Sequence, residues 1–169
     1  MTRRAAPARP AARRDDHIRP ARRSDRSIVA ALWTQADQLH ADLHPCYFRG
    51  DGQLDARLDK ALAPGTDAHE IFVVERASTV IGFVLVELLD PKKGNAGLGR
   101  RAHIDTLVVA ASARRGGCGR RLIDAAAAWA KARRAEELLL TVWAGNDDAE
   151  RFYERIGLQA VSRVMKLPL

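Results

Sequence analysis

The sequence predicts an α+β fold, a mixed α/β layer in which helices flank a largely antiparallel, twisted sheet. Two apolar, β-branched segments at 71–76 and 80–90 are separated by a short polar turn, which is typical of a hairpin. A third such segment at 102–110 precedes helix-like and strand-like stretches that alternate to the end of the chain. A strand meander that leads into a strand–helix–strand–helix–strand unit favours this fold class.

The N-terminal half should contain a short edge strand and two helices. The strand is expected within 17–25 and should end near Ser24, a residue type that often caps helices. Helical spacing of apolar residues predicts a first helix from Asp25 to about Leu43. Pro45 should end it, because proline disfavours helical geometry in the residue before it. A second, shorter helix is predicted over 54–62.

The C-terminal half should alternate between helix and strand. After a glycine-containing loop at 92–99 and the third strand, we expect a helix at 119–134, a strand at 137–143, a helix at 146–156 and a closing strand at 158–167. The last helix has a good N-cap in Asn146 and a good C′ residue in Gly157.

Composition sets the class of protein. The chain has 169 residues, of which 47% are hydrophobic and 29% charged, so it fits one soluble domain with a real core. Its apolar runs fall well short of the roughly 20 residues of a membrane span, and basic residues at the N-terminus precede no apolar signal core. The cysteines, Cys46 and Cys118, form no disulfide framework, which predicts a reducing, cytoplasmic setting.

The net charge of +7 is unevenly distributed. Residues 1–26 hold nine arginines and three aspartates, a balance of +6, so the rest of the chain carries only +1. We expect residues 1–17, rich in Ala, Arg and Pro, to be a disordered basic extension, and 18–169 to be the single domain. This distribution argues against a nucleic-acid partner. Weak polyanion binding by the extension and an organellar transit peptide are the alternatives.

Three glycines among arginines mark the stretch RRGGCGRRL at 114–122. Glycines let backbone N–H groups converge on a phosphate, and a helix that follows points its positive end there. A dinucleotide fingerprint fits Gly117 and Gly119 but fails at Leu122, and a triphosphate P-loop requires a lysine that this stretch lacks. The loop therefore predicts another kind of phosphate site, with a tight strand-to-helix turn as the structural alternative.

Ionisable residues interrupt the third strand. Alternation along a strand predicts one face that carries His103, Asp105, Leu107 and Val109, and an opposite face that carries Ile104, Thr106 and Val108. Two ionisable side chains on an otherwise apolar face suggest a catalytic base or a solvated surface. His103 and Asp105 are both candidates, and the sequence does not rank them.

Two motifs at the right separation resemble the GNAT superfamily of N-acetyltransferases. The first, R-x-x-G-x-G after IDTLVV, is met by Arg114, Gly117 and Gly119. The second resembles N-x-x-A-x-x-F-Y-x-x-x-G-F and is met by Asn146, Ala149, Phe152, Tyr153 and Gly157. Its final phenylalanine is Leu158 here, a departure that mainly concerns packing. The resemblance covers 18–168 in element order and is specific from about 104 to 157.

The resemblance implies a GNAT-like fold and acetyl-CoA as cosubstrate, without a metal. It assigns the pantetheine arm to the backbone of Leu107, Val108 and Val109, whose N–H groups would also stabilise an oxyanion. It assigns the diphosphate to Arg114, Arg115, Gly116, Gly117, Cys118, Gly119 and Arg120. Asn146 and Tyr153 belong to the same cofactor site, and Tyr153 would hydrogen-bond the sulfur and reprotonate the thiolate. A core aromatic is the alternative for Tyr153.

The resemblance also places the acceptor site in the loop after the first helix. His44, Tyr47, Phe48 and Arg49 lie in that loop, and Trp143 could line the same pocket. The acceptor would be an amine on a small molecule or peptide, attacking directly in a ternary complex, since no cysteine has a base beside it. A homodimer is expected only by analogy. A non-catalytic acyl-CoA sensor of the same fold is the rival interpretation.

His40 and His44 are spaced four residues apart, as helical metal ligands are. The zinc-protease pattern H-E-x-x-H requires a glutamate after the first histidine, whereas the sequence here is HADLH. The sequence suggests no third ligand, so we predict no metal site.

Overall fold

A five-stranded sheet forms the centre of the protein. The computed structural model describes residues 16–48, 52–63, 66–89 and 99–167. The strands are β1 (Asp16–Pro20), β2 (His69–Arg76), β3 (Thr79–Leu88), β4 (Arg101–Val109) and β5 (Glu137–Leu140). They lie in the order β1-β2-β3-β4-β5, antiparallel except for the parallel pair β4–β5.

Helices cover both faces of this sheet. They are α1 (Arg26–Leu43), α2 (Leu54–Ala61), α3 (Cys118–Ala132) and α4 (Asp147–Arg155). On one face, α1 and α2 pack through Trp33 and Leu58 against Phe83 of β3. On the other, α3 packs through Leu122 against Val84, and α4 adds partly buried residues at the edge. The predicted fold class is confirmed.

The N-terminal boundary differs from the prediction. Asp16 and His17, expected in a disordered extension, are the first residues of β1 and pair with β2. Asp25, not Ser24, holds the N-cap position of α1. The Asp25 carboxylate is used elsewhere: it accepts hydrogen bonds from the Arg19 guanidinium at 2.7 and 3.0 Å and from the Arg22 N–H at 2.7 Å. Residues 1–15 lie outside the described ranges, as do Arg49 and most of the predicted loop at 92–99.

The predicted closing strand at 158–167 is wrong. The structure assigns no strand to this segment, and its side chains are exposed from Gln159 onward. Four apolar side chains are 80–95% exposed: Val161, Val164, Met165 and Leu167. A strand requires an adjacent edge to pair with, and β5 offers little, because it ends at Leu140 instead of the predicted Trp143.

A β-bulge breaks the regular alternation of β4. Leu85 of β3 pairs with Thr106 and Val86 pairs with Ile104, so Asp105 has no partner in the ladder. Because a bulge inserts one residue, the side chains that follow it change face. The predicted faces are therefore wrong beyond residue 104: Leu107 and Val109 pack on the α3 side with Ala102 and Ile104, and Val108 packs on the α1 side.

Candidate active site

The site begins where β4 and β5 diverge. Their parallel pairing runs from Arg101–Glu137 to Ile104–Leu140 and stops. β4 then continues to Val109, paired with β3 on one side. Along this part of β4 the other edge meets no strand within the described ranges. Its backbone, which includes Leu107, Val108 and Val109, can therefore hydrogen-bond an extended ligand.

The glycine loop connects this edge to the N-terminus of α3. Gly117 holds the N-cap position with φ +84°, and Arg115 is also left-handed with φ +61°. The helix starts at Cys118, one residue before the predicted start. Its first N–H groups have no acceptor four residues earlier, so they face the loop and favour an anion there.

Gly119 has a packing role that the sequence did not reveal. A Cβ on Gly119 would lie 3.1 Å from Cζ of Phe152, so α3 and α4 approach closely at this point. A Cβ on Gly116 would lie 3.4 Å from the Ala113 carbonyl oxygen. The loop therefore requires glycine for two different reasons, the close approach at Gly119 and the left-handed backbone at Gly117, while Gly116 has room for a Cβ.

The arginines of the loop are partly engaged by the protein. The Arg114 Nε donates to the Val109 carbonyl at 3.1 Å, which fixes the loop to the end of β4. Arg120 pairs with Asp124 at 2.8 Å on the exposed surface. Arg121, which was not predicted as a site residue, donates to the Asp16 carbonyl at 2.6 Å. Arg115 is exposed beside these residues and is the arginine best able to turn toward an anion.

The buried carboxylate of Asp16 contacts Cys118, the residue that begins α3 after the glycine loop. The Asp16 side chain is fully buried and accepts hydrogen bonds from Arg76 at 2.6 and 2.9 Å. The Cys118 thiol donates to the same carboxylate at 3.4 Å. Hydrogen bonding from Arg76 lowers the pKa of Asp16, whereas burial raises the pKa of the Cys118 thiol. Cys118 is therefore a neutral thiol with a structural contact. No pattern in the sequence marked Asp16 as its partner.

The two candidate bases have different neighbours. Asp105 accepts a hydrogen bond from the Thr106 hydroxyl at 2.9 Å and lies 3.5 Å from the Arg57 guanidinium. His103 lies across the sheet from Glu87, with Nδ1 4.0 Å from Oε1. The Asp105 carboxylate is thus already engaged by two neighbours, whereas His103 has one neighbour at the limit of an ion-pair distance. Glu87, a polar residue in an apolar strand, was missed.

Tyr153 and Asn146, two predicted cofactor-site residues, lie within α4 and at its N-cap. The Tyr153 ring packs at the edge of the α3 core and lies 5.2 Å from the Phe152 ring. Burial raises the pKa of Tyr153 to about 12, so its hydroxyl stays protonated at neutral pH. Asn146 is confirmed as the N-cap of α4, since its side chain accepts the Ala149 N–H at 3.3 Å. Gly157 follows the helix with φ +100°, as predicted for a C′ residue.

The four predicted acceptor-site residues form one cluster. Ring centroids of Phe48, Tyr47 and His44 lie 4.8, 5.3 and 5.4 Å from that of Trp143. The His44 Nε2 lies 2.6 Å from the Ala144 carbonyl oxygen, which ties the end of α1 to the segment after β5. Because a carbonyl only accepts, Nε2 carries the proton. We call His44, Tyr47, Phe48 and Trp143 the aromatic cluster.

The described residues contain neither a metal-binding cluster nor a membrane-spanning helix. These residues include no group of three or more His, Cys, Asp or Glu side chains arranged to hold a metal ion. None of the helices in the same ranges is long and apolar enough to cross a membrane.

Comparison with known proteins identifies the class. Residues 36–158 match the Acetyltransferase (GNAT) family. This match spans most of the sheet, the glycine loop and α4, so the chain belongs to the GNAT acetyltransferase family. No curated protein matches the chain.

Solved structures share the fold. The BH1408 protein from Bacillus halodurans is 26% identical with a TM-score of 0.81, over 90% of this chain and 99% of its own. An aminoglycoside N-acetyltransferase, AAC(6′)-Iy in complex with CoA, is 18% identical with a TM-score of 0.69, over 91% and 94%. A ribosomal-protein-alanine N-acetyltransferase from Brucella melitensis biovar Abortus is 23% identical with a TM-score of 0.66, over 91% and 99%.

Proposed function

We propose that this protein transfers the acetyl group of acetyl-CoA to an amine by direct attack in a ternary complex. The observation that carries this proposal is the unpaired edge of β4, which opens after Ile104 and leads directly into the glycine loop. An extended donor could lie along that edge with its diphosphate at the N-terminus of α3. Membership of the acetyltransferase family and the CoA bound by AAC(6′)-Iy support this choice of donor.

Each end of the donor meets a different set of residues. The diphosphate would accept hydrogen bonds from the backbone N–H groups of residues 117–120, and Arg115 would form an ion pair with it. Arg114 holds the loop to β4. The pantetheine amides would pair with the backbone of Leu107 to Val109. A free N–H on this edge would also stabilise the oxyanion that forms at the thioester, an effect of about 3 kcal/mol in other enzymes.

His103 is our choice for the base, either directly or through a water molecule. Its Nδ1 lies 4.0 Å from the Glu87 carboxylate and makes no closer polar contact there, whereas Asp105 is already held by Arg57 and Thr106. An alkylamine is mostly protonated at neutral pH and must lose a proton before it attacks. Glu87 would act as a positioning residue because it contacts the base and not the substrate.

The transfer step forms a bond from the amine nitrogen to the acetyl carbon and breaks the carbon–sulfur bond, releasing CoA thiolate. In the family, the tyrosine at the position of Tyr153 hydrogen-bonds that sulfur. With a pKa of about 12, full proton transfer to a thiolate of pKa about 8.5 is uphill by on the order of 5 kcal/mol. Tyr153 therefore acts as a hydrogen-bond donor to the sulfur, and the thiolate gains its proton from the base or from water.

Titration calorimetry with acetyl-CoA tests the donor site. Gly117→Asp places a carboxylate in the proposed cradle, and Gly117→Asn is its uncharged control of the same shape; both side-chain types tolerate a left-handed backbone. We expect micromolar binding to the wild type, weaker binding to the Asn variant and none to the Asp variant. Failure of the wild type to bind acetyl-CoA would refute the proposal.

Thiol release with a panel of amines tests turnover. Binding without thiol release for any amine would instead identify a non-catalytic acyl-CoA sensor. The remaining alternative is polyanion binding by the arginine-rich extension, and deletion of residues 1–15 tests it. The deletion stops before residue 16 because Asp16 and His17 belong to β1. Acetyl-CoA binding should survive that deletion.

We further propose a cytoplasmic location and a small-molecule or peptide acceptor. Cys46 is exposed and Cys118 buried, and both are free thiols, which suits a reducing compartment. A homodimer remains an expectation from the family, which sedimentation analysis would test.

A further inference from the structure

The aromatic cluster, which forms the proposed acceptor site, is partly exposed to solvent. Tyr47 is 53% exposed, and Phe48 and Trp143 are partly exposed, although all three rings lie within about 5 Å of a neighbour. The face of an aromatic ring carries partial negative charge, so it attracts cations and does not attract anions.

A cation of the chain itself already lies on this cluster. The Nζ of Lys166, in the exposed C-terminal segment, is 5.1 Å from the centroid of the Tyr47 ring. This distance is within the range of about 6 Å in which a ring attracts an ammonium group. Lys166 thus shows that an alkylammonium can reach Tyr47.

The His40 ring beside the cluster adds no positive charge that would repel a cation. The His40 ring stacks on Phe48 at 4.9 Å, and burial lowers the pKa of His40, so this ring is neutral at pH 7. The His44 Nε2 is occupied by its hydrogen bond to the Ala144 carbonyl oxygen. A ligand ammonium would therefore meet the aromatic rings and an uncharged His40.

We propose that the aromatic cluster binds a cationic group of the acceptor and that Lys166 occupies this position until the acceptor displaces it. The inference rests on the proposed function for its location and deepens it. The attacking amine must be neutral, so it cannot be the nitrogen that is held as a cation. The acceptor class is then a small molecule with two nitrogen centres, one that reacts and one that stays charged, such as an alkyl diamine.

A binding experiment without acetyl transfer tests the cation site. The probe is choline, and its control is the neutral isostere 3,3-dimethylbutan-1-ol. Indole N–H resonances of the full chain report on binding, and the Trp143 signal is identified by its loss in Trp143→Phe. We expect a saturable shift of that signal with choline and none with the alcohol. Equal shifts with both probes, or no shift with choline, would overturn the proposal.

Variants assign the site to Tyr47 and Lys166. Tyr47→Phe keeps a ring and should keep choline binding, whereas Tyr47→Leu should weaken it about tenfold. Lys166→Met removes the internal occupant and should strengthen choline binding by a few-fold, whereas Lys166→Arg should leave it nearly unchanged. Both residues are exposed, so none of these changes should unfold the protein. Equal choline affinity in wild type and Tyr47→Leu contradicts the site.

Acetyl transfer then tests the acceptor class. We expect KM for 1,5-diaminopentane to be about tenfold below that for 5-aminopentan-1-ol, with a smaller change in kcat. The two failures are distinguishable. Choline binding at Trp143 without transfer to any amine would refute the proposed function and leave the cation site standing. Transfer that shows no preference for the diamine would refute the cationic acceptor.

Discussion

The Asp16 carboxylate and the Arg76 guanidinium form a two-point ion pair, with Nε–Oδ1 at 2.6 Å and Nη2–Oδ2 at 2.9 Å. The same Nη2 lies 3.8 Å from the sulfur of Cys118, the first residue of α3. This pair connects the start of β1 and the end of β2 to the helix whose N-terminus forms the proposed phosphate site. The first strand therefore helps to hold the glycine loop in place.

Asp16→Asn should destabilise the protein by about 3 kcal/mol, because it replaces a fully buried carboxylate, which makes two hydrogen bonds with Arg76, by a neutral amide. Urea unfolding monitored by circular dichroism measures the free energy of unfolding. Asp55→Asn is the matched control: Asp55 also pairs with an arginine, Arg26, but it is 80% exposed and should show no measurable change. Equal effects of the two variants would mean that Asp16 is not a structural anchor.

The same pair makes stability depend on pH in the acid range. The folded pKa of Asp16 is lowered by Arg76, so its contribution is fully present above the unfolded value of about 4. It is lost as the pH falls through the lower folded value. Asp16→Asn should therefore flatten the decline in stability below pH 4, as measured by urea titrations from pH 2 to 6. An unchanged slope would assign the acid sensitivity to other carboxylates.

His103→Gln should lower kcat/KM by about a hundredfold, the usual contribution of a general base, with little change in acetyl-CoA affinity. Asp105→Asn should cost less than about tenfold, since Arg57 and Thr106 already engage that carboxylate. Steady-state kinetics with one amine, paired with calorimetry, separates the two. The reverse order of effects would identify Asp105 as the base.

Tyr153→Phe should reduce kcat by about tenfold or more while leaving acetyl-CoA binding almost unchanged, because the ring remains and only the donor to sulfur is lost. With a folded pKa of about 12, Tyr153 stays protonated across an assay from pH 6 to 10. The pH profiles of wild type and variant should therefore have the same shape. A basic limb that disappears in the variant would show that the tyrosine titrates within this range.

Gly119→Ala should destabilise the protein by about 1–2 kcal/mol, because its Cβ would lie 3.1 Å from the Phe152 ring. The double variant Gly119→Ala with Phe152→Leu should lose less than the sum of the single changes, since the shorter side chain makes room. Thermal unfolding of the four proteins completes the cycle. Additive losses would show that the two residues do not compete for the same space.

Periodicity was sufficient to predict the helices and the meander. The apolar residues of α1 and α3 recur at helical spacing, and helix-capping residues such as Asn146 and Gly157 act locally, so neighbouring sequence determines them. The contact between the loop after α1 and Trp143 was also anticipated, although only through the family resemblance.

Features that depend on distant partners were not accessible from the sequence. The bulge at Asp105 arises from the pairing of β4 with β3, and nothing in the strand's own composition marks it. The segment 158–167 has strand-like apolar residues but lies beside no long edge. Asp16 looks like part of a basic tail until Arg76, 60 residues later, is seen to bind it.

Because of the bulge at Asp105, the side chains of β4 that face α3 follow one alternation before it and the opposite alternation after it. Before it, even-numbered side chains such as Ile104 fill the core beneath α3; after it, odd-numbered ones such as Leu107 do so. Deleting this single residue would make the pairing regular, with Ile104 opposite Val86, Thr106 opposite Leu85 and Leu107 still opposite Val84 beneath α3. A one-residue deletion beyond the bulge, by contrast, would turn every later side chain of β4 to the opposite face of the sheet, so the two parts of this strand differ in their tolerance of a change in length.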